Sequence, residues 1–199
     1  MKAAEREQMI VDAAIRFFAD NGFDGQTREL AKRIGITHPA IYRHFANKEA
    51  LIERVYQEVY VRRWNASWDT LITDPTKLLE DRLSQFYVQY SAQISDYNWV
   101  RIFLFSGLRS QTITRRYTSL IERKVIAPLC LEIRKHSEKG TAPSRISGPI
   151  TEQEREAVWG LHGQIFYIAI RIFVYGMERP SNLEGVVIEH VKRFMRGLA

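Results

Sequence analysis

Apolar residues in this chain recur at intervals of three and four, and nowhere do they keep the strict alternation that builds a sheet. The first stripe, Met9, Ile10, Ala13, Ala14, Phe17 and Phe18, predicts an amphipathic helix. Asn21-Gly22 closes it, because glycine tolerates the left-handed backbone at a helix C-terminus. Thr27 to Ile34 predicts a short helix with Leu30, Ala31 and Ile34 inward, broken at Gly35. Thr37 is placed to cap a further helix running to about Phe45, with His38 and Pro39 in its first turn, where proline sacrifices no hydrogen bond. Asn47 predicts the cap of a longer helix that carries Leu51, Ile52, Val55, Tyr56, Val59 and Tyr60 towards Asp69, and Thr73-Asp74-Pro75 predicts the next break. Further helices are expected at about 76–95, 98–109, 111–139, 151–177 and 184–198, with a kink at Pro128 and a loop over 140–149. The fold class is all-α, with about nine helices.

Three features narrow the setting. The single cysteine, Cys130, cannot close an internal disulfide and fits no metal-ligand spacing, which favours a reducing compartment. Met1 to Gln8 carries Lys2, Glu5, Arg6 and Glu7 and so lacks the apolar core of a signal peptide. The longest apolar stretch, Ile165 to Tyr175, is interrupted by Arg171 and is too short to span a bilayer. A cytoplasmic protein without membrane contact is expected.

The net charge of +6 points to an acidic partner, and its distribution says more than its size. Between Thr27 and Lys48 the cations Arg28, Lys32, Arg33, Arg43 and Lys48 face Glu29 alone. Residues 1–26 instead carry Lys2, Arg6 and Arg16 against Glu5, Glu7, Asp12, Asp20 and Asp24. The positive segment also has helix-turn-helix dimensions: a helix, a tight turn at Gly35-Ile36-Thr37, and a short second helix. Ala31 permits a close crossing, Gly35 a sharp turn, and Ile36 and Ile41 fill the angle. By helical spacing Ile41 and Phe45 point inward, while His38, Ala40, Tyr42, Arg43 and His44 stay outside. Tyrosine and histidine beside arginine suit hydrogen bonds to phosphates and base edges. His38 and His44 are six residues apart and share no helix face, so they do not make a metal pair; no metal or other cofactor is expected.

Gly22-Phe23, Leu30-Ala31, Gly35-Ile36-Thr37, Ile41-Tyr42-Arg43-His44-Phe45 and Asn47-Lys48-Glu49-Ala50-Leu51 together resemble the DNA-binding signature of the tetracycline-repressor (TetR) family, over roughly the first quarter of the chain. The resemblance implies that Thr27 and Arg28 lie near backbone phosphate. Thr37, His38, Pro39 and Ala40 match the start of the recognition helix, where base edges are read; Ala40 offers a methyl suited to thymine. Tyr42 and His44 match phosphate-clamping positions, and Lys48 a phosphate contact at a helix N-terminus. Gln26 departs from the family's usual threonine cap, which leaves the start of that helix open.

The resemblance further implies a helix-turn-helix domain over 1–49 and an effector-binding and dimerisation domain over 50–199. Two motif copies are needed to read a palindromic operator in double-stranded DNA. Glu154 to Tyr175 is apolar nearly all round, with Gly160 and Gly163 beside Trp159 permitting close approach of another helix. With Val187, Val191 and Phe194 of the last helix they resemble the family's dimer-forming pair; ordinary intrachain core is the plain alternative. Trp99, Phe103, Tyr117, His162, Phe166 and Arg171 are candidates to line a mixed pocket for a small-molecule effector, and an arginine there suggests an acidic one. The same residues also suit an ordinary core, with arginines paired to Glu122 or Glu156. The expectation is a homodimeric repressor released by its effector; the rival is an architectural or partner-binding DNA-binding protein without one. No Ser-His-Asp, paired-carboxylate or metal-ligand arrangement points to an enzyme.

Overall fold

The structure, a computed structural model, describes residues 2–109, 112–137 and 148–198. Ten helices and no strand occur among them. Helices α1 (Ala3–Asn21), α2 (Thr27–Arg33) and α3 (His38–Tyr42) precede α4, which runs from Lys48–Tyr56 into a wider π turn at Gln57–Val61. Then come α5 (Ser67–Thr73), α6 (Leu79–Ile94) and α7 (Tyr97–Leu108). Helix α8 joins Thr112–Ile121, a π turn at Glu122–Ile126 and Ala127–Ser137; α9 is Glu152–Phe173 and α10 Leu183–Arg196. No helix among the described residues is long and apolar enough to cross a membrane.

Local chemistry explains most of the boundaries. Gly22 ends α1 at a φ of 69°, as the Asn21-Gly22 pair predicts. Asn47 caps α4 by accepting from the Ala50 amide at 2.8 Å. Thr37 stands at the cap position of α3, but its side chain makes no capping bond, contrary to expectation. Helix α4 also stops short of Asp69. Asn65 Oδ1 accepts from the amide and hydroxyl of Ser67 at 3.0 and 2.8 Å, and this local turn starts α5 anew. Pro128 falls just after the π turn of α8, where the wider helical repeat accommodates the missing amide donor. The loop expected at 140–149 lies outside the described residues up to 147.

The chain forms two compact units, Met1–Trp64 with Asp96–Arg116, and Asn65–Ser95 with Tyr117–Ala199. In the first, α7 packs along α1, and α4 also lies against α1. Ile10, Val11, Ala14, Phe17 and Phe18 of α1 are buried, as are Leu51 and Val55 of α4 and Trp99, Val100 and Ile102 of α7. Each of the valine, leucine, isoleucine and phenylalanine side chains among them contributes about 1.5–3 kcal/mol by leaving water. In the second unit, α10 packs chiefly along α6 and then on α9. Leu83, Phe86, Tyr87 and Tyr90 supply the α6 side of that core, and Val187, Val191 and Met195 the α10 side. Val187 and Val191 are fully buried within the single chain, so they leave no surface to offer a second copy. The apolar periodicity of the last helix marked a core face, and for these two valines the intrachain reading replaces the dimer one.

Candidate nucleic-acid interface

The turn between α2 and α3 is set by Gly35, whose φ of 68° is a left-handed conformation that a side chain would strain. The Ile36 amide donates to the Ala31 carbonyl at 3.0 Å and closes it. Inside the angle Leu30, Ala31, Ala40, Ile41 and Phe45 are all buried. Ala40 is therefore misassigned by the sequence reading: at 4% exposed it serves the helix crossing and has no methyl free for a thymine. A larger residue there would push α2 and α3 apart.

Outside the angle Arg28, Thr37, Pro39 and Arg43 are exposed, and His38, Tyr42, His44 and Lys48 are half-buried. Three of the expected DNA contacts bind one another. Thr27 Oγ1 lies 3.0 Å from His38 Nε2 and 2.8 Å from Tyr42 Oη, and the His38 and Tyr42 rings meet edge to face at 5.0 Å. Thr27 is only 6% exposed, so its hydroxyl is the buried hub of this trio. Lys48 donates to the Gly25 carbonyl at 3.0 Å, tying the loop before α2 to the start of α4. Two protons of its ammonium remain for other acceptors.

In the same unit, a cleft of about 720 Å³ is lined by Phe23 and Asp24, by Lys48, Ile52, Glu53 and Tyr56 of α4, and by Arg109, Ile113 and Arg116. Arg109 pairs with Asp24. Arg116 grips Glu53 through both terminal guanidinium nitrogens, one at 3.1 Å, and stacks 3.9 Å from the centre of the Tyr56 ring. The hydrogen bond from Arg116 holds the Glu53 carboxyl below its ordinary value against a smaller opposing effect of burial. The pairing of residues so far apart in the chain has no signal in the sequence.

The residues expected to line an effector pocket separate. Trp99 and Phe103 stack at 5.4 Å within the first unit, where Tyr60 Oη donates to the Trp99 carbonyl at 2.9 Å. In the second unit Tyr117 Oη donates to Tyr90 Oη at 3.4 Å, and Tyr90 Oη lies 3.2 Å from His162 Nε2. His162 Nδ1 and Tyr87 Oη are buried without a partner. Burial pushes the His162 imidazole down to about 4, which keeps it neutral, and raises the Tyr87 phenol. Tyr87 and Tyr90, three apart on α6, were missed; polar ends on an otherwise apolar helical face were the available signal. Phe166 is half-buried. Arg171 lines a different groove, of about 380 Å³, with Met177 to Ser181, and stands over the Tyr167 ring at 5.7 Å.

On α9, Gly160 and Gly163 are exposed, and a Cβ at either would meet nothing within 4 Å. Trp159 and Phe194 are half-buried, and Trp159 Nε1 donates to Glu122 at 3.0 Å. Tyr167, Val174, Tyr175 and Met177 add exposed apolar surface on and beyond the same helix.

A tight Gly35 turn with a sealed inner angle and cationic, aromatic outer positions defines a helix-turn-helix protein with a larger helical remainder. Residues 10–55 match the model of bacterial regulatory proteins of the tetR family. The tetracycline repressor protein class D of Escherichia coli is 36% identical over 61 residues, covering 30% of this chain and 28% of that protein. This chain's match thus spans a little over a quarter of the length of that curated relative. A TetR-like transcriptional regulator from Rhodococcus sp. RHA1 superposes over 99% of both chains at a TM-score of 0.65 and 17% identity. The fatty acid degradation regulator FadR from Bacillus halodurans does so over 100% of this chain and 98% of its own, at 0.65 and 19%. Residues 10–55 thus carry the tetR-family region, and the chain as a whole shares its fold with these TetR-like regulators.

Proposed function

We propose that this protein is a homodimeric, sequence-specific DNA-binding transcriptional regulator, a repressor released from a palindromic operator by a small molecule, and not an enzyme. The observation that carries the reading is the tetR-type motif itself. Its inner face is sealed, and Arg28, Thr37, Pro39 and Arg43 stand exposed around the start of α3. Arg28 and Arg43 neutralise phosphates, Tyr42, His44 and Lys48 position the backbone, and Thr37 with Pro39 meets base edges.

Dimerisation through α9 is supported by its open Gly160–Gly163 face and by the apolar surface of Tyr167, with half-buried Trp159 and Phe194 at the margins. The effector is expected at the Tyr87–Tyr90–Tyr117–His162 cluster. Two buried polar atoms without partners support that placement, since such atoms are costly unless something hydrogen-bonds them. The ion pairs Asp24–Arg109 and Glu53–Arg116 offer a route by which movement at α7 and α8 would reach the recognition elements.

Selection of bound sequences from a random duplex pool by the purified protein, at two salt concentrations, tests the reading. Recovery of an inverted repeat supports a dimeric operator reader. Purely salt-dependent binding with no recovered motif would overturn it.

A further inference from the structure

We propose that His38 is a positioning residue: it sets the direction of the Thr27–Tyr42 hydrogen bond, and so decides whether the Tyr42 hydroxyl has a proton to give to a DNA phosphate. The inference rests on the DNA-binding reading above and assigns His38 a role other than base readout. Thr27 Oγ1 stands between His38 Nε2 at 3.0 Å and Tyr42 Oη at 2.8 Å, in a site that leaves Thr27 only 6% exposed. A hydroxyl has one proton to give, and a neutral imidazole has one donor nitrogen and one acceptor nitrogen.

When Nε2 carries no proton, Thr27 donates to it, because two bare acceptors do not bond. Thr27 then accepts from Tyr42, and the phenol proton is used inside the protein. When Nε2 carries a proton it donates to Thr27, whose own proton is then free to turn to Tyr42 Oη, so that the phenol proton can point outward. A phosphate oxygen only accepts, so the second arrangement is the one that binds. From the first, Tyr42 reaches phosphate by abandoning Thr27, which leaves two oxygens facing each other without a proton between them.

Protonating the imidazole places a proton on both nitrogens and excludes the first arrangement, which leaves the binding one open at no loss of a hydrogen bond, so DNA affinity rises when His38 is charged. The charged or ionisable groups on the neighbouring elements are Arg28, Glu29, Lys32 and Arg33 of α2, Arg43 and His44 after α3, and Lys48, Glu49, Glu53, Arg54 and Glu58 of α4. Among them His44 is the other imidazole. An effect of its charge, or of direct attraction between the His38 cation and phosphate, does not pass through the Tyr42 hydroxyl.

The test is the affinity of the full chain for a duplex recovered by selection, measured at fixed ionic strength from pH 6 to pH 8, for the wild type, His38→Gln and Tyr42→Phe. The expected result is binding about tenfold tighter at pH 6 than at pH 8 in the wild type, the scale of one hydrogen bond to a charged group, and a flat profile in both variants. A pH dependence that survives in Tyr42→Phe overturns the inference, because the charge then acts directly. A flat wild-type profile also overturns it while leaving the DNA-binding reading intact. Absence of duplex binding at every pH overturns that reading and this inference with it.

Discussion

Glu132→Ala is expected to be among the most damaging single changes in the second unit, although the residue is no part of the recognition motif. Glu132 and Arg82 form an ion pair at 2.7 Å with both side chains 7% exposed. The same Arg82 nitrogen donates to the Ile72 carbonyl at 2.8 Å, so the guanidinium ties the end of α5 to α6 and α8. Lys135 reaches the other Glu132 oxygen at 2.7 Å. Burial pushes the Glu132 carboxyl up, but hydrogen bonds from Lys135 and Arg82 outweigh it and leave the group below its ordinary value. Its contribution to stability is therefore present above the unfolded carboxylate range and is lost as pH falls through the lower folded value. Removing the carboxylate strands a buried cation, which costs about 3–5 kcal/mol, whereas replacing both partners by apolar residues of similar size is close to neutral. For a chain of this length about 2–4 °C of melting temperature is lost per kcal/mol, so Glu132→Ala should melt roughly 10 °C lower. The double variant Arg82→Met/Glu132→Leu should recover most of that loss. Thermal unfolding followed by far-ultraviolet circular dichroism reads both. A single variant that melts within about 2 °C of the wild type, or a double variant worse than the single, would refute the argument.

Lys48→Ala should weaken binding to every duplex alike and lower the slope of log affinity against log salt by about one, as loss of one phosphate contact requires. An unchanged slope would mean that Lys48 acts only through its bond to the Gly25 carbonyl. On the proposed dimeric reading, Gly163→Arg should leave a monomer in sedimentation analysis where the wild type sediments as a dimer, since it places a long cation on the open face of α9; a variant that stays dimeric puts the interface elsewhere. Glu154 bonds Arg134 through two oxygens, one at 2.6 Å, and that bond, aided by Thr151 and opposed by burial, brings its carboxyl down to about 2. Its side-chain carbon signal should stay that of the ionised form down to the lowest pH at which the protein remains folded. Titration near the ordinary glutamate value would show that the Arg134 pair does not persist in solution.

The sequence carried the recognition motif far better than the rest because its constraints are local. Gly35, Ala31, Ile41 and Asn47 each answer to neighbours within a few residues, so type and spacing suffice to place them. Even there, one periodic position misled. Ala40 falls on the outer arc of an ideal helix, yet α3 ends at Tyr42 and crosses α2 so closely that the methyl is covered. Val187 and Val191 show the same limit at longer range: an apolar stripe states that something covers a helix and leaves open whether that is α6 of the same chain or a second copy.

Polar groups were harder still, since their meaning depends on a partner that spacing does not name. Nothing in the spacing of Arg109 and Arg116 points to Asp24 and Glu53, which the fold sets against them. Thr27, His38 and Tyr42 were each identified as residues facing DNA, and their hydrogen bonds to one another join three separate assignments into one unit. That joining changes what a substitution reports. Loss of affinity in a Thr27 or His38 variant measures how well Tyr42 is presented as well as any direct contact, so single variants at the three positions should be strongly non-additive. A contact map of the bound DNA that credits each residue separately would count the same hydrogen-bond proton more than once.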